Sequence, residues 1–192
     1  LHDALPICSP WGDFWFSSVD RTSSGGIRVS PETSLSVVAV YACVRVLAES
    51  FALLPFRLYR PRVGGGRERI VDHWLYRLLA KSPNRFQTPF EWREMMLGHL
   101  ALRGNAFNEI VEDGVGGIAA LLPLHPDRIA IELLGETDYR YRYTRRDGAI
   151  VYYTRGQIWH LRGLSGDGYV GYNPIEIERE AIGEAMQYQS YA

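Results

Sequence analysis

Imidazoles carry the most chemistry at neutral pH, and the chain has five, at His2, His73, His99, His125 and His160. None stands in an HExxH pattern or in any His/Cys ligand spacing. One combination suits an acid–base or metal site of a small hydrolase: His125 two residues before Asp127, with His160 drawn in by the fold. Spacing alone does not bring those three together. His125 lies between Pro123 and Pro126, and a corner histidine satisfying a backbone carbonyl is the simpler expectation. Ser165-Gly166-Asp167-Gly168 is not a GxSxG elbow. Gly64-Gly65-Gly66 lacks the Lys-Ser/Thr of a phosphate loop and reads as a hairpin turn. Cys43 falls on an apolar helical stretch and is expected in the core. Glu49 and Asp72 have no spacing that implies cooperation. No residue is therefore assigned a catalytic, cofactor-binding or metal-binding role, and no cofactor is expected.

The arginines between Tyr139 and Arg145 invite a different reading, a free-standing nucleic-acid-binding module. Tyr139, Tyr141 and Tyr143 alternate with Arg140 and Arg142, so tyrosines and arginines occupy opposite faces of a strand. A half-buried antiparallel strand explains this alternation better than a surface that stacks bases. The formal net charge of −1 also makes the whole chain a poor electrostatic grip for nucleic acid.

The elements that would position these residues follow from pattern. The 192 residues, 46% hydrophobic with five Trp and twelve Tyr, suit one globular domain with extensions. Two cysteines, Cys8 and Cys43, make no disulfide framework, and a reducing compartment is the simplest expectation. No apolar run reaches membrane-span length, and no signal peptide is evident. The chain starts with Leu1 and stops within a helical pattern, so a fragment is expected. Residues 1–7 look like translated sequencing-adapter readthrough.

Residues 8–33 read as an extended arm rich in aromatics (Trp11, Phe14, Trp15, Phe16) with a Ser23-Ser24-Gly25-Gly26 break. Thr33 or Ser34 can cap a long helix whose apolar stripe is Val37, Val40, Tyr41, Val44, Leu47, Ala48, Phe51 and Leu54, ended by Pro55 and expected at the centre of the core. A short hairpin turns at the three glycines. Asp72 can cap a helix through Leu79, stopped by Ser82-Pro83-Asn84. Thr88, Pro89 and Glu91 form a capping box for a further helix, and Gly104 suits its left-handed end. The chain then turns from helices to strands. Asn105–Glu112 runs extended, Asp113-Gly114 and Gly116-Gly117 supply positive φ for a reversal, and Ile118–Leu122 returns. Further strands cover Arg128–Leu133, Tyr139–Arg145, Ala149–Thr154 and Gln157–Arg162, with Asp147-Gly148 the strongest hairpin signal. The glycine-bearing loop 163–173 is expected to be mobile. Asn173 and Pro174 open a last helix.

From Thr33 onward the chain resembles the portal proteins of tailed bacteriophages, in particular the large family typical of long-tailed phages. The matching stretches are Val40–Ser50 with Leu54-Pro55, His73–Leu79, Ser82-Pro83-Asn84, Phe90–Arg93, Arg103–Phe107, Leu122–Arg128 and Gly168–Ile175. No single stretch is diagnostic; their number, order and spacing are. The resemblance implies an α+β wing-type domain over 34–172, preceded by an arm at 1–33 and followed at 173–192 by a helix leading toward a stem. It implies a non-enzymatic subunit of a ring, usually of twelve, at one capsid vertex. Double-stranded DNA passes through that ring without sequence specificity, driven by the terminase large subunit, with head-completion and tail proteins and the capsid as further partners. The implied location is the virion, after assembly in the bacterial cytoplasm, with no membrane involved. An exposed apolar or charged flank, covered only by a neighbouring subunit, is expected with it.

Overall fold

In a computed structural model, residues 21–135 and 138–191 are described. The aromatic segment before Arg21, with His2 and Cys8, lies outside the described residues. The architecture is α+β, and every strand pair among the described residues is antiparallel. In place of a plain arm, residues 21–34 form a small hairpin, β1 (Arg21–Thr22) with β2 (Arg28–Val29), and one turn of helix, α1 (Pro31–Ser34). Ser30 caps α1 in a capping box with Thr33.

The long helix α2 (Val38–Ala52) starts afresh after Val37, with no side-chain cap. The expected cap at Thr33 or Ser34 is thus corrected. Ser30 and Pro31 form the better start, and Thr33 completes their box. The hairpin β3 (Leu58–Pro61) and β4 (Arg67–Ile70) turns on Gly64, Gly65 and Gly66, all at positive φ. Helix α3 (Trp74–Ala80) is capped by His73, whose Nδ1 accepts from the Leu75 N–H at 3.2 Å, and not by Asp72. Helix α4 (Pro89–Arg103) has the Thr88/Glu91 box and the left-handed Gly104 read from the sequence.

Strands β5 (Asn105–Glu112), β6 (Ile118–Leu124) and β10 (Ile158–Arg162) form one sheet in the order β10-β5-β6. Strands β7 (Ile129–Leu133), β8 (Tyr139–Thr144) and β9 (Ile150–Tyr153) form a second. Of the four positions Asp113, Gly114, Gly116 and Gly117, only Gly116 has positive φ; the Asp113 carboxylate accepts from Val115 and Gly117 and shapes the rest of the turn. The first residues of β5 are buried on both faces. Ala106 faces α4 with Trp92, Met96 and Leu121, while Phe107 faces the second sheet with Leu124, Ile131, Tyr141, Tyr153 and Ile158. The first sheet is therefore the middle layer between α4 and the second sheet. A third cluster joins Val29, Val37 and Leu102 to Ile175 of α5 (Pro174–Ile177) and Ile182 of α6 (Arg179–Tyr191). The single helix expected after Asn173 is two, broken at Glu178.

Helix α2 corrects the expectation of a central core stripe. Val37, Ala48 and Ala52 are buried and Val40 and Val44 pack on the third cluster, but Tyr41, Leu47 and Leu54 are exposed, and so is Cys43. Apart from Arg45, Glu49 and Ser50 the helix is apolar. Periodicity finds a stripe on it, but only the neighbours, chiefly α4, decide which sector is covered.

Arg93 fixes the helical layer. Its buried guanidinium donates to the Ala52 carbonyl through Nε at 3.0 Å and Nη2 at 2.8 Å, and to the Leu79 carbonyl through Nη1 at 3.2 Å. One cation thus holds the C-terminal ends of α2 and α3, where carbonyls lack helical partners and the dipoles are negative. Replacing Arg93 with Met keeps the bulk and strands those carbonyls. The expected loss is about 2–4 kcal/mol in urea unfolding, and an unchanged midpoint would contradict it.

Candidate functional site

The helical and strand regimes meet at Arg103-Gly104-Asn105. Gly104 ends α4 at φ +69°, its N–H donating to the Leu100 carbonyl at 2.8 Å. A Cβ there would lie 1.8 Å from the Tyr172 carbonyl oxygen, so glycine is required for space as well as handedness. The Gly104 carbonyl accepts from the Gly163 N–H at 2.8 Å, and a Cβ on Gly171 would come within 2.0 Å of the same oxygen. Three chain segments touch backbone to backbone at this point.

The buried Asn105 amide then clamps the segment from 163 to 173. Its nitrogen donates to the carbonyls of Gly171 at 2.9 Å and Arg103 at 3.0 Å, and its oxygen accepts from the Gly171 N–H at 2.8 Å. The loop expected to be mobile is held further by the Asp167 carboxylate, which accepts from Ser165, Tyr169 and Val170. Asp167 sits below the usual carboxylate range: burial would raise it, but these donors outweigh burial. Serine and aspartate at 165–168 thus close a turn.

His160 joins the same network. Its Nε2 lies 3.0 Å from the Asn105 oxygen and its Nδ1 3.4 Å from the Tyr141 hydroxyl. The Asn105 oxygen only accepts, which assigns the proton to Nε2 and leaves Nδ1 as acceptor. The ring stacks on Phe107 at 4.3 Å between centroids. Burial, aided by Arg162, lowers its pKa to about 3, so it stays neutral.

Arg103 pins the other side. Its guanidinium, with 9% of the side chain exposed, grips both oxygens of Asp127, Nε at 2.6 Å and Nη2 at 2.8 Å, and also reaches Glu32 of α1. Burial would raise the pKa of Asp127, but the Arg103 hydrogen bonds and charge hold it below its ordinary value. His125 meets Asp127 at 3.7 Å and the His99 ring at 5.7 Å between centroids, and not a backbone carbonyl as expected. The carboxylate at that corner offers its ring a partner that a carbonyl does not. Burial and then Arg103 lower the pKa of His125, and the same causes bring His99 to about 4.

The structure therefore brings His125 to Asp127 but leaves His160 in a separate network with Asn105, Tyr141 and Phe107. Asp127 is gripped on both oxygens by Arg103, with His125 3.7 Å from one of them. No group of His, Cys, Asp or Glu among the described residues could hold a metal ion. The arginines of β8 are engaged as well: Arg140 and Arg142 each reach Glu132 at 2.9 Å, and Arg140 lies over Tyr152. Sequence reasoning missed the buried polar residues that do the organising: Asn84, Arg93, Asn105 and Asn108. Asn84 bonds the Leu121 carbonyl at 3.1 Å, and Asn108 accepts from the Trp92 indole at 2.9 Å. An asparagine inside an apolar strand was the available signal.

The Phage portal protein family model matches residues 38–192. The chain belongs to that family. It is 30% identical over 164 residues to the portal protein of Enterobacteria phage HK97, covering 84% of this chain and 38% of that one. In fold it is similar to chains from two reconstructions of the neck of gene transfer agent particles. The empty particle, computed with C6 symmetry, gives a TM-score of 0.64 at 22% identity, with 82% of this chain and 45% of that chain covered. The native particle, computed with C12 symmetry, gives 0.61 at 21% identity, with coverages of 85% and 45%. This chain thus spans less than half the length of these relatives. Within the portal chain, three stretches of resemblance, Arg103–Phe107, Leu122–Arg128 and Gly168–Ile175, meet at the junction just described.

Two predictions follow from this geometry. Gly104→Ala and Asn105→Ala are each expected to cost about 2–4 kcal/mol in urea unfolding, the first by strain and clash, the second by stranding Gly171 and His160. A loss below about 0.5 kcal/mol at either site would contradict the junction. The histidines also set a pH dependence. The folded values of about 3 for His160 and about 4 for His99 lie below the ordinary 6.5, so the unfolded chain binds protons first. Their effect is absent above pH about 6.5, and stability then falls toward pH 4 by up to about 2.7 kcal/mol per unit. Urea titrations at pH 7, 6 and 5 check the slope, and His99→Gln is expected to halve it.

Proposed function

We propose that this chain is the wing-bearing part of a portal subunit. In this reading, copies form a ring, of twelve as is usual in the family, at one vertex of a phage capsid. Double-stranded DNA is packaged and ejected through the ring without sequence specificity. The terminase large subunit, head-completion and tail proteins, and the capsid dock on it. Its place is the virion, after assembly in the bacterial cytoplasm. Residues 34–172 form the wing, and 173–192 lead toward the stem.

One observation carries the reading: the portal family match across residues 38–192, joined by likeness in fold to a neck component reconstructed with twelvefold symmetry. The junction fits it. Arg103, Asn105, Asp127 and His160 hold segments together, as a rigid ring component needs, and the subunit is proposed to be non-enzymatic. The formal net charge of −1 suits a wall past which phosphates slide.

The mass of the gene product that carries these residues, measured by light scattering, tests the proposal. A closed assembly of about twelve subunits is expected. A product that stays monomeric across salt and protein concentration would contradict it.

A further inference from the structure

Charge is segregated along this chain. Residues 57–85 carry eight basic side chains against two acidic ones, Glu68 and Asp72, while the rest carries 13 basic and 20 acidic. The net charge of −1 thus averages over two regions of opposite sign. Five of the eight, Arg57, Arg60, Arg62, Arg67 and Arg69, stand on or beside the β3–β4 hairpin, and all five are exposed.

The strand register sorts them. Tyr59 pairs with Arg69 and Pro61 with Arg67, so Tyr59, Arg67 and Arg69 share one face. Leu58 pairs with Ile70 and Arg60 with Glu68 on the other face, where Leu58 lines a cavity with Leu75 and Leu79. The hairpin's one carboxylate therefore stands away from Arg67 and Arg69, and Arg62 reaches it at 3.6 Å. Arg69 meets the Tyr76 hydroxyl at 3.4 Å, an uncharged partner that leaves its charge in place. Among the described residues no ion pair neutralises Arg57, Arg60, Arg67 or Arg69. Strand β8 sets its tyrosines and arginines on opposite faces and spends the arginines on Glu132. The hairpin instead sets an exposed tyrosine among unneutralised cations on one face.

We propose that the Tyr59–Arg67–Arg69 face, with Arg57 beside it, contacts the phosphodiester backbone of double-stranded DNA. The choice of duplex DNA as the polyanion rests on the portal reading above. Two features select a phosphate chain over an acidic protein. Protein interfaces have an apolar centre depleted in charge, whereas Tyr59 and Val63 are the large hydrophobic side chains exposed between residues 57 and 70. Arg67 and Arg69, two positions apart on one strand, are also spaced at about 7 Å, the scale on which phosphates repeat along a nucleic acid strand. A lipid surface fits less well, because the hairpin has no free apolar face to bury among acyl chains. A few such contacts hold weakly and loosen with salt, so the site guides a moving duplex without arresting it.

The test is fluorescence anisotropy of a short labelled duplex of arbitrary sequence, titrated with the gene product between about 50 and 200 mM salt. Arg57→Gln with Arg67→Gln and Arg69→Gln, all at exposed positions, is expected to leave thermal unfolding and the mass by light scattering unchanged. The same variant is expected to weaken binding at least about tenfold at the lower salt, and to make the slope of log affinity against log salt shallower by about 2–3. Lysine at the same three positions is expected to hold affinity within about threefold, since contact with single phosphates needs charge more than a planar fork. Unchanged affinity and slope in the glutamine variant overturn the proposal, as does an equal loss in the lysine variant. Tighter binding to vesicles containing phosphatidylserine than to the duplex also overturns it and assigns the face to lipid. A ring of about twelve whose DNA binding ignores these arginines leaves the portal reading standing without this site. A persistent monomer whose duplex binding needs them removes the portal reading and leaves the hairpin as a phosphate site.

Discussion

The close approach of backbone at Gly104 is the constraint on which the rest depends. A helix must end, a strand must begin, and the segment leaving β10 must cross the same point. Only residues without a Cβ allow this, since a methyl on Gly104 would overlap the Tyr172 carbonyl and one on Gly171 would overlap the Gly104 carbonyl. Once the backbones are that close, their polar groups are shielded from water and need partners. Asn105 supplies them, because one planar amide can donate and accept against Gly171 at the same time. His160 then joins Asn105, and Arg103 with Asp127 pins the other side of the junction.

Much of this was legible in the sequence. The Thr88/Glu91 box, the left-handed Gly104, the strand Asn105–Glu112 and the Asp147-Gly148 turn are local signals with local causes, and each stands where read. The tyrosine–arginine alternation also gave the right faces, with Tyr141 buried and the arginines clamping Glu132. What failed was of another kind. Whether the apolar sides of α2 are covered depends on what lies across from them, and a helix whose only polar residues are Arg45, Glu49 and Ser50 gives periodicity little to choose between. The cap at Ser30 was missed because Thr33 and Ser34 also read as caps, and only the break before Val38 separates the two helices.

The candidate site was the least legible part. His125, Asp127 and His160 attract attention because of their residue types, yet type does not reveal partners. Asp127 belongs to Arg103, 24 positions away, and His160 to Asn105, 55 positions away. Separations of that size are set by the fold. The residues that organise the molecule, Arg93, Asn84, Asn105 and Asn108, are ordinary in type and significant only because they are buried with their hydrogen bonds met. Buried asparagines that bond backbone define relative position sharply, since a shift of an ångström leaves them unsatisfied.

The central claim is that the Arg103–Asn105 junction locks helices, strands and the 163–173 segment into one rigid unit. Native-state hydrogen exchange of the Gly163 and Gly171 amides tests it most directly. Loop amides ordinarily exchange through cheap local openings, but these donate to the Gly104 carbonyl and the Asn105 side chain. The account predicts protection close to that of the β5 amides, lost only on global unfolding. Rapid exchange at both glycines while β5 stays protected would show a segment that opens on its own, and would contradict the account.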